Sequence, residues 1–261
     1  RIRPGNDFAD YALYVSFFPQ LVAGPIVRYE QFAGQLASPR PMTAANFETG
    51  TALMVGGLFL KTVLADSVFA PVADAGFAAA ASIGTLQAWS SILSFSGQIY
   101  CDFAGYSLCA IGAARVFGFV LPKNFHTPYA ALGFSDFWRR WHITLSTWIR
   151  DYLYITLGGN RHGRARTLGN LVIAMGLGGL WHGAAWTFVL WGLAHGLWLV
   201  IEHALRPLAG RSALLAHRAM APLYMAITFI LVTLTWVLFR AESLPQASSF
   251  YAALLSASES T

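Results

Sequence analysis

From Leu168 to Ile201 the chain runs thirty-four residues without an Asp, Glu, Lys or Arg. Such a run belongs in hydrocarbon, where no water can bond a free backbone N–H or C=O and a helix supplies all of those bonds itself. As one straight helix it would be about 51 Å long, against a hydrocarbon core of about 30 Å. It must therefore break, overhang or turn. The GLGG at 176–179 is the expected break, which would set His182 just inside the next helical start. An imidazole at membrane depth is costly unless partnered or used, so His182, between Trp181 and Gly183, is the first candidate for chemistry.

The rest of the chain is of the same kind. Of 261 residues, 56% are hydrophobic and 11% charged, against roughly 25% charged in a soluble domain. No segment alternates in the manner of a strand, so the expected fold is all-α and integral to the membrane, a multi-helix bundle. A net charge of +5 without basic tracts and interleaved stacking aromatics points to the lipid bilayer as partner and away from nucleic acid. The chain opens on Arg1 and is expected to be one membrane-embedded domain, 1–261, of a longer polypeptide with room for further spans. Cys101 and Cys109, about 12 Å apart along a helix, are too far apart for an undistorted disulfide.

Residues 8–27 are apolar but cut by Pro19, Gly24 and Pro25, which predicts a broken or re-entrant segment. A polar connector is expected at 29–48, and spans at 50–72, 86–119 and 221–239. Within the second apolar stretch Lys61 can reach an interface along its stem, whereas Asp66 needs a partner or the membrane edge. Between 134 and 155, Phe134, Phe137, Trp138, Trp141, Leu145, Trp148, Tyr152 and Ile155 recur at helical spacing, with Ser135, Arg139, His142, Ser146 and Arg150 on another face. That pattern predicts one amphipathic helix at the interface or lining a wet cavity. Six of the seventeen basic residues lie between 139 and 166, which assigns that side to the cytoplasm, and Arg206, Arg211 and Arg218 suggest that the run from 168 to 201 returns as a hairpin.

Each candidate residue carries two readings. His182 is either catalytic or a core histidine bonded to a neighbouring helix. His142, with Arg139 and Ser146 on the polar face, either orients a substrate or faces headgroups. Asp102, sharing a face with Gln98 and Tyr106, either pairs with an Arg and fixes the bundle or touches substrate. His195 lies about 20 Å beyond His182 on a continuous helix, turned by roughly 220°, and reads as a packing or interhelical hydrogen-bonding residue. Gly97, Gly105 and Gly112 are close-packing signals. No HExxH or CxxC spacing occurs, so no metal site is expected, and neither a GxSxG elbow nor a phosphate loop is present.

Four segments carry a resemblance: FPQLVAGPIVRY at 18–29, QIYCDFAGYSLCAIGAARVFGF at 98–119, FWRRWHITLSTWIRDYLYITLGGNR at 137–161 and GGLWHGAAWTFVLWGLAHG at 178–196. In this order they resemble the membrane-bound O-acyltransferase family, and most of all its bacterial alginate-acetylating branch. The resemblance implies a ring of helices around a thinned centre, His182 as the essential residue and His142 as its polar companion. It implies an inner-membrane enzyme with no bound cofactor that passes an acetyl group from acetyl-CoA or another acyl thioester to an extracytoplasmic polysaccharide. A periplasmic or surface acetyltransferase would be its partner. D-alanyl transfer to teichoic acid is the alternative within the family. A transporter or channel whose polar residues line a permeation path, or a structural scaffold, is the alternative outside it.

Overall fold

The computed structural model describes residues 8–38, 41–211 and 217–256, and among them every regular element is helical. Among the described residues three helices are long and apolar enough to cross a membrane: Ala44–Ala78, Trp186–Pro207 and Arg218–Arg240. The chain divides into two compact units, one built from residues 1–68 and 97–124, the other from 69–96 and 125–261.

In the first unit, α1 (Phe8–Ser16) ends ahead of Pro19, a single 3-10 turn spans Phe18–Gln20, and regular helix resumes only at α2 (Tyr29–Ala37). The expected interruption is present, because prolines at 19 and 25 remove donors and Val22 takes a left-handed φ of 62°. The expected polar connector at 29–48 is corrected: α2 forms inside it. Its Phe32 is fully buried with Phe17, Val27 and Leu121 and stacks on Phe119 at 4.9 Å. Helix α3 (Ala44–Ala78) is continuous, its middle third wound as a π-helix over Phe59–Phe69. It crosses α4 (Thr85–Val116) at two glycine pairs. A Cβ on Gly57 would stand 2.5 Å from the Gly105 carbonyl, and one on Gly50 would stand 2.6 Å from that of Gly112. Seven-residue spacing of glycines on both helices lets their backbones touch.

The second unit holds the remaining helices: α5 (Phe134–Trp138), α6 (Ile143–Ile149) running on as π-helix over Arg150–Tyr154, α7 (Arg164–His182), α8 (Trp186–Arg211), α9 (Ala221–Arg240) and α10 (Leu244–Leu255). The expected break at 176–179 is corrected. Helix α7 passes through GLGG, and those glycines serve contact instead of bending: a Cβ on Gly179 would meet the Phe188 carbonyl at 2.2 Å, and one on Gly192 that of Met175 at 2.2 Å. Helices α7 and α8 form a tight hairpin whose turn falls at Gly183–Ala185, so His182 closes one helix instead of opening the next. The single amphipathic helix expected over 134–155 is likewise corrected, because Arg139–His142 form a turn between α5 and α6.

Candidate active site

That turn decides where His142 points. Helix α5 is anchored at its start by Glu202 of α8, whose carboxylate accepts the Ser135 N–H at 2.9 Å and pairs with Arg206 at 2.7 Å. Within it Asp136 accepts the Leu132 N–H and lies 3.0 Å from Arg140. Arg140 donates to the Thr127 hydroxyl, and its carbonyl accepts the His126 N–H. Chain tied at that many points holds His142 at φ 42°, ψ 53°, a left-handed conformation that a non-glycine residue adopts only where its surroundings impose it. The result is an imidazole 5% exposed, not one displayed on a polar face.

His182 reaches the same neighbourhood from α7. Gly183 ends the helix directly after it, with its α-carbon so close to the Phe188 ring that a Cβ would stand 2.6 Å from it. The His182 ring meets Trp191 and Phe239 edge to face at 5.2 Å each and Trp181 at 5.1 Å. Trp181 in turn meets His142 at 6.4 Å, so both imidazoles contact one indole. Burial, with the neighbouring His182 ring as a second cause, pushes His142 from its usual 6.5 down to about 3. Its imidazole is therefore neutral at physiological pH.

The other sequence candidates are dispersed. Arg139 is exposed and pairs loosely with Asp136 at 3.5 Å. Ser146 donates to the Trp141 carbonyl and lines a pocket of about 290 Å³ with Arg150, Trp138 and Tyr154. Asp102 and Gln98 belong to the first unit, whereas both histidines belong to the second. The partner of Asp102 is Lys61, at 2.6 Å, and not an arginine; the same ammonium lies 2.8 Å from Asp66. Sequence reasoning flagged Lys61 and Asp66 separately and missed the bridge, because their five-residue spacing faces only on a π-helix. His195 was read as an interhelical hydrogen-bonding residue, and its Nε2 lies 2.9 Å from the Thr235 hydroxyl of α9. Arg140, unmarked in sequence beside Arg139, is the arginine that builds the turn.

Long apolar helices, with His142 buried and His182 half-buried near one tryptophan, mark an α-helical membrane protein with a candidate site of polar chemistry. The profile of the membrane-bound O-acyltransferase family matches residues 4–242, and the chain belongs to that family. It is 45% identical over 251 residues to a protein of Azotobacter vinelandii named probable alginate O-acetylase AlgI, an alignment covering 96% of this chain and 48% of the relative. A Helicobacter pylori protein named peptidoglycan O-acetyltransferase is 45% identical over 93% of this chain and 46% of its own length. One named teichoic acid D-alanyltransferase, from Streptococcus thermophilus, is 29% identical over 88% of this chain and 61% of its own. The chain thus spans about half the length of the O-acetylating relatives it matches.

Proposed function

We propose that the protein is an O-acyltransferase that passes an acetyl group from a cytoplasmic acyl thioester to a hydroxyl of an extracytoplasmic polysaccharide, with His182 as general base. The observation that carries this reading is that His142 and His182 both contact Trp181, one buried and the other partly exposed, in a chain of this family. A sugar hydroxyl is a poor nucleophile at neutral pH. An imidazole within hydrogen-bond reach takes its proton as the oxygen attacks the thioester carbonyl. The new C–O bond forms, the C–S bond breaks as the tetrahedral intermediate collapses, and the sulfur takes the proton that His182 returns and leaves as the thiol. His142 serves as the neutral donor or acceptor that orients the hydroxyl or holds the oxyanion. The higher identity to the O-acetylating relatives favours acetyl over D-alanyl. The inner membrane, a polysaccharide such as alginate or peptidoglycan, and a periplasmic or surface acetyltransferase partner are part of the same proposal, as is the absence of a bound cofactor.

The test supplies the full chain, in detergent, with radiolabelled acetyl-CoA and alginate oligosaccharides. Thiol release with label in acceptor or partner is expected, and His182→Ala is expected to stop it. Wild-type transfer by His182→Ala together with loss in His142→Ala would reverse the two roles, and passage of solute without a covalent product would favour a transporter.

A further inference from the structure

His195, in the second unit, is fully buried, and the transfer chemistry does not use it. The Thr235 hydroxyl donates its one hydrogen to the Val232 carbonyl at 2.7 Å. Its oxygen must then accept from His195 Nε2–H, which fixes the tautomer and clamps α8 to α9. Around the ring stand Trp191 at 4.9 Å, Trp138 at 5.2 Å and Phe134 at 5.4 Å. Each leads to a candidate catalytic histidine. Trp191 also contacts His182, 5.2 Å away at an interplanar angle of 89°. Phe134 and Trp138 are the two ends of α5, the helix that runs directly into the strained turn carrying His142.

We propose that His195, bonded to Thr235, is a positioning residue that sets His182 through Trp191 and His142 through α5. The inference rests on the acyl-transfer reading. A buried donor with one acceptor and an aromatic enclosure has one orientation, because any other leaves an N–H unbonded in an apolar surround. The rings docked on it inherit that orientation, and reacting groups must hold place to within a fraction of an ångström.

The test pairs Thr235→Val, which removes the acceptor and keeps the shape, with Thr235→Ser, which keeps the hydroxyl, and adds His195→Phe, which keeps an aromatic ring in the enclosure. Thiol release from acetyl-CoA by the full chain is expected to lose about tenfold or more in kcat for Thr235→Val and His195→Phe, with KM within about twofold. Thr235→Ser is expected to keep the wild-type rate. A folded Thr235→Val enzyme with wild-type kcat, or a Thr235→Ser enzyme as slow as the valine variant, would overturn the inference. A readout independent of turnover is the fluorine resonance of 5-fluorotryptophan at position 191. It is expected to shift in Thr235→Val and not in Thr235→Ser, and an unmoved resonance overturns the inference even if His182→Ala proves active and the acyl-transfer reading fails.

Discussion

Both units pair charges, Lys61 with Asp102 in the first and Glu202 with Arg206 in the second, but the second also holds imidazoles. In the first, Lys61 lies between Asp66 and Asp102 at 2.8 and 2.6 Å, all three side chains 43–49% exposed. In the second, His142 and His195 are buried, His182 partly so, and each meets at least one aromatic ring. The first unit keeps its charges and pairs them; the second holds its imidazoles among rings, where neutrality removes the cost of burying a charge. The difference follows from what each group can discard: a histidine gives up its charge near neutral pH, whereas Asp and Lys give theirs up only far from it. Chemistry that needs an uncharged proton acceptor therefore belongs in the second setting.

The largest effect that would break this comparison is loss of the candidate base. His182→Ala is expected to lower the rate of acyl transfer by about 10²–10⁴, measured as thiol release, with the protein still folded; an equal loss from Lys61→Met would place the chemistry in the wrong unit. Next comes packing of the first unit. Gly57→Ala puts a methyl 2.5 Å from the Gly105 carbonyl and is expected to cost about 1–3 kcal/mol, read as a lower unfolding temperature in detergent. An unchanged temperature would show that α3 and α4 do not need that approach.

The third prediction concerns acid. His142 has a folded-state pKa of about 3 against an ordinary 6.5, so the folded protein binds fewer protons than the unfolded one. The stability this contributes is fully present above about pH 6.5. It is lost as pH falls toward 3. His142→Asn, which tolerates the left-handed backbone, is expected to flatten the decline of unfolding temperature between those limits. A decline as steep as wild type would assign it to other groups. The smallest effect is expected from Lys61→Met, less than about 1 kcal/mol, because exposed ion pairs contribute little in water. A cost of several kcal/mol would show that this cluster sits in hydrocarbon, and the contrast between the units would sharpen.

Composition and periodicity by themselves determined that the chain is helical, that it lies in a membrane, and that residues 8–27 are interrupted at Pro19 and Pro25. These follow from local rules, since prolines remove donors and apolar runs of about 20 residues match the hydrocarbon. Only the tertiary structure decided the rest. GLGG is a contact surface because Gly192 of α8 presses on it, and Gly183 ends the helix because Phe188 fills its side-chain space. The amphipathic stripe from Phe134 to Tyr152 reads as one helix in sequence. Arg140, tied to Asp136, Thr127 and His126, turns the chain and drives His142 inward. Helical periodicity reports which side chains share a face while the helix lasts. It carries no record of the long-range contacts that stop a helix, and at His142 those contacts placed the imidazole beside Trp181.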